Sequence, residues 1–447
     1  MSSVVRHNPT SRRSTQPPLD DPGARRPTFR DGGLPDTQLR IKKSLLHMPV
    51  EIIAIILLEW TTLEWFAPAI ARQICRDLME ITDSSPHLWS KMCLPYHSSA
   101  TADDVVEWLR RAKSVPKEIL LETEDLEIVS AALEGAKDAT SLIYRIPIFK
   151  EFLPSQEEVI RLPIHMPHLR HLHLDTSNIY DFLSLSNIFG LSNPSHSARF
   201  PCLTVLHLFF IDLINFDITP GLFPAVRRLL LHSVCGPILD LVQVCSGTLE
   251  HLRVTINFTY DGQLHPDGRI YLPILKVLIV EDALGIVSNI EAPTLRLIYA
   301  DLAEINGSTR TFSSVVEWVT RQCPSLFREM DITEHLQNMP SLQHLMIFQH
   351  TETIKRCFAS LHDNPRICPH LHFIEVVDFA DTSPPFILDN DSKELLKACV
   401  AWRAESVPEF TLQFVENRVH VTRLEEYYTA SVGSFIVMRN HLSHHAF

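Results

Sequence analysis

Apolar and polar residues alternate in a short unit that returns along much of the chain. It reads "MPHLRHLHLD" from Met166, "FPCLTVLHLF" from Phe200, "FPAVRRLLLH" from Phe223, "SGTLEHLRVT" from Ser246, "LPILKVLIVE" from Leu272, "APTLRLIYAD" from Ala292, "MPSLQHLMIF" from Met339 and "CPHLHFIEVV" from Cys368. Each copy carries an apolar-x-x-apolar-x-apolar core, and proline introduces most of them. Alternation with a period of two predicts a strand in each copy. The first core residue falls at Leu169, Leu203, Val226, Leu249, Leu275, Leu295, Leu342 and Leu371, giving spacings of 34, 23, 23, 26, 20, 47 and 29 residues. Such recurrence predicts stacked repeats, with insertions or a degenerate copy in the two longest gaps.

Within a strand successive side chains point to opposite faces, so the core positions turn inward and the residues flanking the second one turn outward. The outward pairs are His171/His173, Val205/His207, Arg228/Leu230, His251/Arg253, Val277/Ile279, Leu297/Tyr299, His344/Met346 and Phe373/Glu375. His165, His168, His171 and His173 crowd into nine positions, a density that would suit zinc or copper. Alternation separates them, because His171 and His173 face outward on the strand while His165 and His168 precede it; no metal site is expected. The outward face is graded, histidine and arginine first, then apolar. The residues assigned to target binding are His171, His173, His207, Arg228, His251, Arg253, Val277, Ile279, Leu297, Tyr299, Met346 and Phe373. If exposed, the apolar part is a partner site; the alternative is that it lies under the insertion after Tyr299 or under the C-terminal segment.

Five of the seven spacings fall within the 20–29 residues of leucine-rich repeats, and the core pattern resembles that family. The resemblance implies strand-plus-helix units stacked into a solenoid. The Asn or Cys that the family carries three positions after the last core leucine fits at Asn257 but is replaced by Ser177, Ile211 and His350, so an irregular solenoid is expected. A weaker echo pairs "DDVVEWLRRAKSVPKEILLE" from Asp103 with "SSVVEWVTRQCPSLFREMDI" from Ser313. Both read as an Asp- or Ser-capped helix followed by Pro and an apolar segment, which starts the solenoid near residue 100, with Trp108 and Trp318 packing between repeats.

A second signal precedes the repeats. After Pro49, a natural first-turn residue, Ile52 to Leu58 is apolar all the way round a helix. A further helix opening near Pro68 puts Ile70, Ile74, Leu78 and Ile81 on one stripe. About fifty residues cannot sheathe the first helix alone, so a protein partner is expected to cover it. The segment resembles an F-box, the helical module that docks onto the Skp adaptor of cullin–RING ubiquitin ligases. Met48-Pro49-Val50-Glu51 matches its opening element, Ile74-Cys75-Arg76-Asp77-Leu78 its "V-C-R-x-W" element with Leu78 in place of Trp, and Pro86-His87-Leu88-Trp89 its closing element. The resemblance implies Met48, Pro49, Ile52, Ile53, Ile56, Leu57 and Trp89 as the adaptor contact or its supporting core. A helical cap for the repeats is the alternative.

Composition narrows the picture. The chain has 447 residues, more than one core usually serves, and 13 Gly against 30 Pro disfavours Gly-rich phosphate loops. Residues 1–43 hold nine Lys/Arg and four Asp/Glu (+5), which leaves 31 basic and 49 acidic residues (−18) for the rest. That balance argues against nucleic acid as a partner of the folded part, and the tail reads as disordered, with nuclear import or tethering as its role. No signal peptide and no run of about 20 apolar residues is found, so a cytoplasmic or nuclear protein without a membrane segment is expected. The nine cysteines form no CxxC pair. Common nucleophile, phosphate and zinc-protease motifs are absent, and Cys93/His97 and Cys368/His370/His372 are the nearest approaches to a thiol–imidazole set.

The expectation is therefore a mixed α/β chain. It has a disordered basic tail (1–43), an F-box-like helical module (44–97), a leucine-rich-repeat solenoid with a parallel-strand concave face (98–425) and a C-terminal cap and tail (426–447). What the resemblances imply is a non-catalytic, cofactor-free substrate receptor of an SCF-type ubiquitin ligase, binding a Skp-type adaptor and a protein target. The alternatives are a repeat scaffold without a ligase role and a hydrolase or metalloenzyme built in the loops.

Overall fold

The computed structural model describes residues 47–96, 98–123, 125–145, 162, 166–176, 183–185, 188, 200–214, 216, 218–255, 269–281, 283, 285–300, 305, 312–320, 332–348, 351–364, 366–378, 390–407 and 410–416. The basic tail, the C-terminal cap, His97, His165, Ser177, Asn257 and His350 lie outside the described residues. Val50 onward forms one unit by its internal contacts, and Met1–Pro49 forms another.

The apolar run after Pro49 becomes helix α1 (Val50–Leu63), followed by α2 (Ala67–Ile74), α3 (Arg76–Ser84) and a 3-10 turn (Pro86–Trp89). The single helix expected from Pro68 is two, because Cys75 is extended (φ −163°, ψ 165°) and breaks it. The break sends Leu78 and Ile81 inward while Ile74 stays 40% exposed. Trp89 is fully buried and its indole Nε1 donates to the Thr82 carbonyl at 2.9 Å. Trp108 repeats the device one layer on, donating to the Trp89 carbonyl at 2.9 Å with the two rings 4.7 Å apart.

Thirteen strands follow in one sheet, whose spatial order is the chain order and whose pairs are all parallel. They are β1 (Lys91–Leu94), β2 (Lys117–Leu121), β3 (Ala139–Arg145), β4 (His171–Asp175), β5 (Val205–Phe209), β6 (Arg228–His232) and β7 (His251–Thr255). The row continues with β8 (Val277–Glu281), β9 (Leu297–Tyr299), β10 (Glu317–Thr320), β11 (His344–Phe348), β12 (Phe373–Asp378) and β13 (Thr411–Glu416). Parallel neighbours need crossovers. Helices α4 (Ala102–Ala112), α5 (Leu126–Glu134), α6 (Ile238–Val244), α7 (Ile286–Asn289), α8 (Ile332–Gln337), α9 (Thr351–Asp363) and α10 (Asn390–Ser406) lie in these connections. Two short parallel pairs, Leu183–Ser184 with Ile211–Asp212 and Ile270–Tyr271 with Ile290–Glu291, accompany the main sheet.

The repeat pattern explains the register. The second core residues stand in one row across the strands: Leu172, Leu206, Leu229, Leu252, Leu278, Ile298, Trp318, Leu345 and Ile374. From Leu169 to Val376, none of the residues at the three core positions of these strands is more than 2% exposed. The entry to most strands is the same turn, in which the first core N–H donates to the residue three before it: Leu169 to Met166, Leu203 to Phe200, Leu275 to Leu272, Leu295 to Ala292, Leu342 to Met339 and Leu371 to Cys368. Proline follows the accepting residue in each case, where its fixed φ suits the second position of a turn.

The 47-residue gap between Leu295 and Leu342 holds a degenerate copy, with Val315, Trp318 and Thr320 at the core positions. This corrects the helical reading of "SSVVEWVT": the segment is entered by the repeat turn, Val315 N–H to Phe312 carbonyl, and is hydrogen-bonded between β9 and β11. The same Val-Val-Glu-Trp letters at 105–108 do form a helix, since Thr101 and Asp104 close a capping box there. The cap is Thr101 rather than Asp103. The sheet also opens earlier than the alternation suggested, at Lys91, because a four-residue strand carries too few turns of the pattern to stand out.

Candidate docking surfaces

Opposite the leucine row, the sheet presents two further rows in register. One runs Lys91, Glu118, Ser141, His171, Val205, Arg228, His251, Val277, Leu297, Glu317, His344, Phe373 and Thr411. The other runs Cys93, Leu120, Ile143, His173, His207, Leu230, Arg253, Ile279, Tyr299, Val319, Met346, Glu375 and Gln413. The chemistry changes along them. Cys93, Leu120 and Ile143 form a buried apolar cluster against which Trp65 packs. Ile279, Leu297, Tyr299, Val319, Met346 and Val377 form a second, with Val277 packed on it. Ile279, Leu297, Tyr299 and Met346 are therefore interior side chains, 3–6% exposed, and the exposed apolar partner stretch is corrected to a buried cluster. Val277 is half-buried at its margin, and Phe373 is half-buried with its ring 4.8 Å from His344. Beside it His344 lies between Glu317 (3.4 Å) and the fully buried Glu375 (3.2 Å), so the polar groups at that end satisfy one another.

Between the two clusters, β4 to β7 carry His171, Val205, Arg228 and His251 in one row and His173, His207, Leu230 and Arg253 in the next. The predicted polar target residues are thus brought together on four adjacent strands. His173 stacks on Phe209 at 5.0 Å and lies 5.4 Å from His207, while Phe209 lies 5.2 Å from His232. Arg253 is held by Glu281 at 2.7 Å, and Thr255 donates to the same carboxylate at 2.8 Å. Burial pushes the His207 imidazole well below its usual range, with repulsion from His173, His171, Arg253 and Arg228 adding to it. Burial likewise lowers His171 and His251, Arg228 being the next cause at both. Neighbouring positive charge and desolvation both disfavour the imidazolium.

A different surface lies on α1. Ile53 and Leu57 are buried at 2% and 4%, and α1 contacts α2, α3 and the 3-10 turn. Ile52, Ile55, Ile56, Glu59 and Leu63 recur at the three- and four-residue spacing of one helix face and are all exposed. Of the twelve exposed large apolar side chains among the described residues, seven lie between 50 and 74. The predicted adaptor residues therefore divide. Ile52 and Ile56 lie on the open face, Met48 and Pro49 are exposed ahead of the helix, and Ile53, Leu57 and Trp89 are core. Ile55, Leu58 and Leu63 belong to the open set and were missed, although the spacing from Ile52 signals Ile55 and Leu63.

Of the thiol–imidazole candidates, the Cys93 set cannot form among the described residues because His97 lies outside them, and the Cys368 set is taken apart. Cys93 is buried and its thiol is pushed up to about 12 by burial. Cys368 turns into the core, where Sγ donates to the Leu336 carbonyl at 3.1 Å, while His370 is exposed and His372 half-buried. Among the described residues no group of three or more His, Cys, Asp or Glu side chains is arranged to hold a metal ion. No described helix is long and apolar enough to cross a membrane. No protein-family model matches the sequence, and no curated protein matches it.

Proposed function

We propose that this chain is a substrate receptor of an SCF-type cullin–RING ubiquitin ligase, with an F-box-like segment at 44–97 that holds a Skp-type adaptor and a leucine-rich-repeat solenoid that holds a protein target. The observation that carries the reading is the open face of α1: Ile52, Ile55 and Ile56 are 41–56% exposed on a helix whose other face is core. A half-exposed isoleucine forgoes on the order of 1 kcal/mol of burial, so three on one face favour a partner that covers them. The parallel register and repeated entry turn support the repeat half. Its role is tethering: a target held near the charged ubiquitin carrier experiences an effective concentration of about a millimolar.

The test is capture of the full-length chain by purified Skp-type adaptor at near-physiological salt, beside an Ile52→Asp/Ile56→Asp double variant. Capture that the double variant loses, with an unchanged circular dichroism spectrum, supports the reading. Equal capture of both proteins, or none of the folded wild type, refutes it. A second reading, a scaffold in which the N-terminal helices only cap the sheet, is favoured by Trp65 packing on Cys93, Leu120 and Ile143; it predicts no capture.

A further inference from the structure

We infer that strands β4 to β7 form an anion-recognition surface centred on Arg228, and that its occupant is an acidic segment of a protein partner, seated through Asp or Glu carboxylates. The inference rests on the sheet being the target-holding half proposed above. Its first support is a charge inventory of this face. Arg145 pairs with Glu122 at 2.8 Å, Arg253 with Glu281 at 2.7 Å, Lys91 with Glu118 at 3.8 Å, and His344 sits between two carboxylates. Even Arg227, beside Arg228, reaches Glu250 at 3.6 Å. Arg228 is half-buried, and among the described residues neither an ion pair nor a hydrogen bond engages its guanidinium.

The second support is what surrounds it. The eight positions of the two rows on β4 to β7 hold four histidines, two arginines, Val205 and Leu230, and no acid. Among the described residues no hydrogen bond engages the His171 or His251 ring, and the His207 Nε2 atom is buried and unpartnered in a side chain only 5% exposed. A buried nitrogen without a partner calls for an explanation. The nearest carboxylates on the next row, Asp175 and Glu281, already face Arg145 and Arg253. His251 lies one strand from Arg228, and His171 two strands on the other side, about 5 and 10 Å away. A carboxylate on the guanidinium fork is thus within reach of imidazole N–H donors on both sides, and the planar pair is bidentate.

Charge also selects the occupant. One unengaged guanidinium, beside His171, His207 and His251 whose imidazolium forms burial disfavours, cannot hold a polyanion against a body whose net charge is −18 outside the first 43 residues (31 basic, 49 acidic). A short stretch with a few carboxylates fits. Phosphorylated segments are the competing source of negative charge and form one arm of the test.

The experiment is fluorescence anisotropy of the full-length protein with a labelled dodecapeptide that carries three Glu and three Ser among Gly residues, beside its Gln counterpart and one with phosphoserine in place of each Ser and Gln in place of each Glu. Binding of the Glu peptide, loss with Gln, and at least tenfold weakening by Arg228→Ala with partial recovery in Arg228→Lys are expected. Among the described residues Arg228 has no partner to orphan, so both variants should melt as the wild type does. Equal binding to Arg228→Ala, no binding by the folded wild type, or binding of the phosphopeptide alone overturns the inference. Adaptor capture is measured on the same proteins: capture without Glu-peptide binding overturns only the acidic occupant, whereas peptide binding without capture overturns the ligase reading and leaves the surface standing.

Discussion

Replacing Thr320 by valine should stabilise the protein. Thr320 occupies the third core position of the degenerate repeat, where the neighbouring strands place Ala300 and Ile347, both at most 1% exposed. It is itself 2% exposed, and among the described residues its Oγ1 atom has no hydrogen-bond partner. An unpaired hydroxyl in an apolar setting costs about 1–3 kcal/mol. Valine keeps the branched shape and exchanges the hydroxyl for a methyl, each buried CH₂-sized group contributing about 0.8 kcal/mol. Allowing for local relaxation, we expect a net gain of about 1–2 kcal/mol, read as a higher urea midpoint by far-ultraviolet circular dichroism with an unchanged slope. Thr320→Ser, which keeps the hydroxyl and drops the methyl, should lower the unfolding free energy by about 1 kcal/mol and the midpoint with it. An unchanged or lowered midpoint for Thr320→Val would refute the assignment of this position to the apolar core row.

Ile53→Ala should cost about 2–5 kcal/mol while Ile56→Ala stays within about 0.5 kcal/mol, since one is core and the other lies on the open face; thermal melts of the pair check this. Arg403 is buried and donates from Nη1 to the Cys368 carbonyl (3.0 Å) and from Nη2 to the Ile367 carbonyl (2.6 Å). Arg403→Met strands both carbonyls and should cost about 2–4 kcal/mol in urea unfolding, with Arg403→Lys recovering only part because it lacks the fork. His171, His207, His232 and His251 are all held below the usual 6.5 by burial first, so the unfolded chain binds more protons than the folded one below that value. Their contribution is full above pH 6.5 and is lost as pH falls through the window beneath it; the melting temperature should drop from pH 7 to 5.5, and less steeply in His207→Phe. A steeper loss above pH 6.5 than below would contradict that sign.

The repeat was legible because one chemical rule, three apolar positions per copy behind a Pro-led turn, generates both the pattern and the strand. Leu169, Leu203, Val226, Leu249, Leu275, Leu295, Leu342 and Leu371 all reach the core at 0–1% exposure. The copy at Val315 escaped because Trp318 and Thr320 replace the aliphatic letters and its wording matches a true helix at 105–108. Local preference left both conformations open there, and hydrogen bonding from β9 and β11 selected the strand. The helix break at Cys75 escaped for a related reason, since the apolar spacing through Ile74, Leu78 and Ile81 is consistent with an unbroken helix.

The sequence by itself determined the strand positions, the row of leucines they share, and the grouping of histidine and arginine on one stretch of the opposite face, because period-two alternation assigns every residue to a side. It also marked α1 as a helix too apolar to be covered by its own segment. Only the tertiary structure decided which of those outward residues are reachable. Burial depends on what packs above a row, so Ile279, Leu297, Tyr299 and Met346 became core while Arg228 remained half-open. The pairing of charges depends on register between strands some twenty to thirty residues apart, and that register gave Arg253 to Glu281 and left Arg228 without a carboxylate among the described residues.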